Sequence, residues 1–470
     1  VLDIYERAVK GPIMTEKDFD MKVFLPNLKE VVQKYNVRYE KDNPVPEDDA
    51  AADILFEAAV EFMARVGVYC QGTNRIMQFS EDEIRQVLSE APGKCFPGEG
   101  KDAGELGLRK PDDPKLPWFH CGTGIAFSSE SSMTNMVEGC ASIAEINSIS
   151  FPAIEYIRGL PSVGQTPAEF YAAIRTINIG MQAIQRAGRP GLPVLNLIST
   201  ATTSQSAIAA SAPQFGCRPT DGWLCGTVAE FKLNFGVMTK IAYLKSSGCL
   251  VGAETAPILG GFCGGPDGTA VASTAYIIMG LLVHNANYQL HFPVHFKFSC
   301  TTTRDVIWVN SVSAQAASRN IPMPVIWDPY CAAGPNTRMF MYETAAYLLS
   351  VVASGGPAFE TSHPAKGVMV DGFTPMEAKW NVEMGKAASK MKRPQANELV
   401  KRLLEKYESD IDNPPRGNTY QECYDVTTGK PDESYVKLYN EVKEELVGMG
   451  IPIRIIAGII LMKPTIFDNR

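Results

Sequence analysis

The chain has 470 residues, 45% of them apolar and 20% charged, the balance of a globular protein with a large core rather than a disordered or fibrous one. Its 44 basic and 52 acidic residues leave a formal net charge of −8, which excludes the broad basic face of a nucleic-acid binder. Eleven cysteines occur without a C-x-x-C pair or a Cys/His zinc spacing, which points to reduced thiols in a cytoplasmic protein; no segment reads as a signal peptide or membrane span.

The first 117 residues read as a helical, charged extension. "FSEDEIRQVLSEAP" (79–92) is a helix by its capping box, Ser80 with Glu83, and by Pro92 after its end. "GEGKDAGELGLRKPDDPKLP" (98–117) is loop-like. From Trp118 onward, short apolar runs alternate with long amphipathic ones. The runs are 118–122, 153–160, 193–199, 222–226, 248–254, 292–299, 323–328 and 357–362. Helix-like segments follow each, at about 136–148, 167–187, 204–213, 227–246, 269–287, 303–319, 337–354 and 375–391. "TPAE" (166–169) and "TPME" (374–377) each open a helix with a Thr cap, a Pro at the first position and a Glu at the third. Eight strand–helix alternations over 118–391 predict an α/β fold, a (β/α)8 TIM barrel. Residues 392–470 are expected to add C-terminal helices and an apolar tail. The tail stretch "IPIRIIAGIILM" (451–462) is too short to span a bilayer and carries Arg454.

Barrel function gathers at the C-terminal strand ends. The fifth strand ends in Glu254, the seventh in Asp328, and the eighth at Thr361 with His363 after it; the third carries Leu195 and the fourth Leu224. Alternation puts Leu250, Gly252 and Glu254 on one face, and Pro324, Ile326 and Asp328 on one face. In the sixth run His291, Pro293, His295 and Lys297 share a face, opposite Phe292, Val294, Phe296 and Phe298. If the aromatic face packs on helices, His295 and Lys297 point into the lumen, and a slip of one residue reverses this. His291 and His295 lack a third ligand nearby, so no metal site is expected. His120 beside Cys121 reads as structural. "ILGGFCGGPDG" (258–268) lacks phosphate-cradle spacings; it reads either as a long tight turn or as a run of small residues that keeps the barrel mouth open.

The segments "AGRPGLPV", "APILGGFCGG", "PVHFKFSCTTTR", "CAAGPNTRM", "AKGVMVDGFTPMEA" and "TYQECYDVTTGKPDESY" resemble, in order, segments of the monomethylamine methyltransferases. The resemblance runs from about residue 50 to about residue 450. It implies a (β/α)8 barrel, a hexameric assembly, and transfer of a methyl group from a small amine to Co(I) of a corrinoid carried by a separate protein. The family's pyrrolysine, which takes up the amine, falls at Leu195. One of its glutamates falls at Leu224 and is absent here, another is kept as Glu254, and a glutamine falls at Asp328. Without pyrrolysine, the expected donor is an amine that is already activated, a quaternary ammonium above all. Glu254 and Asp328 are then expected to hold the cation, His295 and Lys297 to set their charge, and Trp327, Trp308 and Tyr330 to supply ring faces. Two alternatives stand beside this: monomethylamine turnover by a pyrrolysine-independent mechanism, and an inactive barrel that binds a corrinoid protein.

Overall fold

The computed structural model describes residues 1–454 apart from Thr123, Leu197 and Ser199. Most of the apolar tail therefore lies outside the described residues. Eight parallel strands form the centre: β1 Trp118–Cys121, β2 Ser148–Ile149, β3 Leu195–Asn196, β4 Gly222–Gly226, β5 Leu250–Thr255, β6 Tyr288–His291, β7 Val325–Trp327 and β8 Ala358–Glu360. Each pairs with its sequence neighbours, β8 pairs with β1, and a single Ile149–Val194 bridge closes β2 onto β3. Eight helices alternate with the strands: α1 Glu130–Ala141, α2 Pro167–Arg186, α3 Ser204–Ala210, α4 Phe235–Ser246, α5 Pro266–Leu282, α6 Arg304–Asn320, α7 Arg338–Ala353 and α8 Pro375–Ala388. This is the (β/α)8 barrel read from the alternation. The caps at Thr166 and Thr374 form as expected, each side chain accepting from a backbone N–H of the first turn.

Two strands sit elsewhere than expected. The second barrel strand is Ser148–Ile149, not 153–160; within that run Ala153–Ile154 instead pairs with Ala126–Phe127, beyond the ends of β1 and β2. The sixth is Tyr288–His291, not 292–299; there Val294–His295 pairs with Ile258–Leu259, beyond the ends of β5 and β6. A Tyr330–His363 bridge does the same above β7 and β8. The chain thus re-pairs in a second tier at the mouth. Pro293, which has no N–H to donate, separates the two tiers of the sixth segment. The true strand is buried throughout, so it shows no alternation to read.

The N-terminal segment packs Asp49–Val66 against α5 and α6, and its strands Val68–Cys70 and Arg75–Met77 join Lys232–Leu233 from the loop after β4. Cys95 and Leu106 cover the lumenal cluster of Trp118, Leu195, Tyr288 and Ala358. The C-terminal helices Arg393–Tyr407 and Glu433–Gly448 lie against α7. No helix among the described residues is long and apolar enough to cross a membrane.

Candidate active site

Strand pairing fixes which side chains meet in the lumen. Followed once around the barrel, the registers accumulate a displacement of eight residues, so inward side chains of alternate strands form layers. Leu195 shares a layer with His120, Gly252 and Ile326. Leu224 lies one layer higher, with Ser150, Leu290 and Glu360. Glu254, Asp328 and Gly122 belong to the layer at the mouth. Leu195 is fully buried and Leu224 nearly so, and both join the apolar cluster that floors the site. At about 2.7 Å of barrel height per residue, Leu195 lies roughly 5 Å below the Glu254 level.

Above this floor three carboxylates converge. Asp328 is fully buried and Glu360 almost so. Glu254 keeps a little access to the lumen although protein surrounds it; burial and the negative charge of Asp328 push its carboxyl up to about 7. Two glycines make room. A Cβ at Gly122 would run into the Glu360 carboxylate, and one at Gly226 would stand 3.2 Å from Glu254 Oε2.

One imidazole answers the acids. His363 Nε2 lies 3.1 Å from Asp328 Oδ1 and 3.5 Å from Glu360 Oε1. Burial opposes charge on His363, but Asp328 and Glu360 outweigh it and raise the imidazole to about 10. The second-tier bridge sets its place: His363 donates its N–H to Pro329 O, and Cys331 donates to His363 O. The ring consequently stacks on Tyr330, with centroids 4.3 Å apart and planes 12° apart. Phe292 packs on Tyr330 at 5.0 Å, and both rings stay half-buried at the opening. Beneath, His120 Nδ1 lies 2.8 Å from Ser148 Oγ, with Nε2 4.0 Å from Glu360 Oε1. Lys240 spends its ammonium on Leu224 O, at 2.7 Å.

Of the expected residues, Glu254, Asp328, Tyr330, Leu195 and Leu224 do line one lumen. His295 and Lys297 do not. His295 sits outside the barrel, 3.8 Å from Asp305, and exposed Lys297 pairs with Asp412 at 2.7 Å. The register of the sixth segment is the cause: Phe292 faces the lumen, and His291 faces the helices, where Thr255 and Ser273 engage its two nitrogens. Trp327 is also turned away, edge-on to His291, and Trp308 lies on α6 against Tyr39. Glu360 and His363 join the site without a role expected from the sequence. Alternation from Ala358 would have turned Glu360 inward; His363 is placed by the second tier, which leaves no such signal.

The sequence profile of the family described as monomethylamine methyltransferase MtmB matches residues 1–451. Monomethylamine methyltransferase MtmB2 of Methanosarcina acetivorans is 30% identical over 449 residues, covering 96% of this chain and 97% of that protein. The Methanosarcina mazei MtmB is 29% identical over 450 residues, covering 96% of this chain and 97% of that protein. The crystal structure of the Methanosarcina barkeri MtmB superimposes with a TM-score of 0.92 at 29% identity, over 96% of this chain and 98% of that one. The crystal structure of an MtmB complex with hydroxylamine has the same TM-score, identity and coverage. The chain belongs to the monomethylamine methyltransferase family of methyltransferases.

Proposed function

We propose that the protein transfers a methyl group from a small methylated ammonium compound to Co(I) of a corrinoid carried by a partner protein, and that its preferred donor is quaternary. The observation that carries this reading is the lumen itself. Three carboxylates face one imidazole, and the half-open Glu254 lies at the level of Asp328, with the Phe292 and Tyr330 rings at the same opening. An excess of buried negative charge selects a cation, and ring faces add about 0.5–2 kcal/mol each when desolvated. Leu195, at the family's pyrrolysine position, has no electrophilic carbon to take up a primary amine. A quaternary donor needs no such activation, because its leaving group departs as a neutral amine. Phe262, Phe296 and Val368, exposed on the loops after β5, β6 and β8, offer apolar surface at the mouth for the partner. We further assign the protein to the cytoplasm as a hexamer, as the family resemblance implies.

The test is methylation of reduced Co(I) cobalamin by the purified protein. Tetramethylammonium, choline and betaine-type donors are expected to yield methylcobalamin, read by its visible spectrum, and monomethylamine is not. No methylation by any quaternary donor would sink the reading. Monomethylamine turnover, the reaction for which the relatives are named, would replace it with a pyrrolysine-independent route.

A quaternary donor keeps its charge at every pH, so its binding reports the protein alone. With the Glu254 carboxyl at about 7, it is neutral below that pH and anionic above. Affinity for tetramethylammonium, measured by calorimetry, is expected to rise as pH increases from 6 to 8 with a midpoint near 7. A flat profile would remove Glu254 from the cation site.

A further inference from the structure

One buried cluster at the lumen has ligand atoms that methyl transfer does not use. Asp328, Glu360 and His363 each present one donor atom, all within 4.8 Å of one another. Asp328 is 0% and His363 3% exposed. Yet neither Asp328 oxygen, nor His363 Nε2, has a hydrogen-bond partner among the described residues. The 3.1 Å approach of Asp328 to His363 therefore lacks the alignment of a hydrogen bond. His291 shows the contrast: both of its nitrogens are engaged by hydroxyls, at 2.7 and 2.6 Å. Charge alone therefore joins Asp328 to His363, and the Asp328 oxygens stay without a hydrogen bond, a deficit of about 1–3 kcal/mol unless something completes it.

We propose that Asp328, Glu360 and His363 form a binding site for one divalent first-row metal ion. The spacing suits one. With bonds of about 2.1 Å, neighbouring ligand atoms lie roughly 3.0–3.4 Å apart in octahedral or tetrahedral geometry. The observed separations from His363 Nε2 are 3.1 and 3.5 Å. Two carboxylate oxygens and one imidazole, with no thiolate, suit zinc, ferrous iron, manganese or cobalt rather than a soft ion. The supports are those of a metal site. The His363 ring is clamped by Tyr330 and the bridge between their main chains, and Glu360 is packed against Gly122. Three protein ligands leave open positions toward the lumen, the pattern of sites that act on a bound compound rather than brace a fold. A divalent ion there would displace the His363 proton and take over its part in balancing Asp328 and Glu360, with the proton released to solvent; Glu254 stays as the free anion beside it, so the site is compatible with the methyl-transfer reading without depending on it.

The experiment is an anaerobic titration of the purified full chain, stripped with chelator, using Co2+ followed by its visible ligand-field bands and Zn2+ followed by calorimetry. One ion per chain is expected, with His363→Ala and Asp328→Asn each weakening binding by about 100-fold or more. Glu360→Gln provides a less disruptive third variant, and Lys297→Ala, at the exposed ion pair with Asp412 outside the barrel, is expected to bind as the native chain does; circular dichroism verifies folding of all four. No stoichiometric binding by the native chain, or binding that survives in the ligand variants, overturns the site. Methylation of Co(I) cobalamin is read separately on stripped and on Zn2+-loaded protein, and counts as failed only when both fail. Its failure would count against the methyl-transfer reading and leave the metal titration standing; the reverse failure would do the opposite.

Discussion

Glu254→Gln is expected to raise KM for a quaternary donor about 30- to 150-fold while kcat stays within a few-fold of native. The reason lies in where the charge goes. The donor carries its positive charge before the methyl group moves, and the nitrogen becomes neutral as the C–N bond breaks. A carboxylate beside that nitrogen therefore stabilises the bound ground state at least as much as the transition state. Removing it forfeits binding, about 2–3 kcal/mol for one desolvated charge partner, with little loss in the chemical step. Even a slight gain in kcat is consistent, because the ground state is less deeply held.

The same variant separates the two enzymatic readings. A neutral primary amine can leave only if its nitrogen gains a proton as the methyl group departs. A carboxyl with a pKa of about 7 is placed to deliver it. For that mechanism Glu254→Gln would lower kcat by about 10²- to 10⁴-fold and hardly move KM. Steady-state methylation of Co(I) cobalamin, at saturating and at limiting donor, distinguishes the two. A fall confined to kcat would reject the ground-state cation role proposed for Glu254.

The legibility of this site followed the physics of each strand. Glu254 and Asp328 were readable because β5 and β7 run straight into the mouth, where period two carries from the strand to its last inward residue. The sixth segment misled because its only alternating stretch, 292–299, belongs to the second tier. Its barrel strand is buried on both faces, and such strands lose the pattern that reveals their register. The effect is specific: alternation over 292–299 puts His295 and Lys297 inside and Phe292 outside, the reverse of the structure. His363 was visible only as a histidine near a strand end, since its position depends on a bridge to Tyr330, a pairing of residues 33 apart in sequence. The barrel itself was legible because eight alternations reinforce one another, and two misplaced strands do not disturb the count.

His363→Ala, in chelator-treated protein, is expected to lower unfolding free energy by about 3–5 kcal/mol near pH 6.5, the range for removing one partner from a buried charge cluster. It leaves Asp328 and Glu360 buried together without the imidazolium between them. The pH dependence identifies the cause. His363 has its proton affinity raised on folding, from the ordinary value of about 6.5 to about 10. Its contribution is thus fully present below about pH 6.5 and is lost as pH rises through 10. Between those values the native protein holds one more proton than the unfolded chain, so native stability falls by about 1.4 kcal/mol per pH unit from this group. The variant lacks that slope. The gap between the two proteins should be widest near pH 6, narrow steadily above pH 7 and close near pH 10. Urea unfolding of both proteins across this range measures the gap directly. Parallel curves from pH 6 to 10 would show that His363 is neutral in the folded protein and that the two acids are balanced by another route.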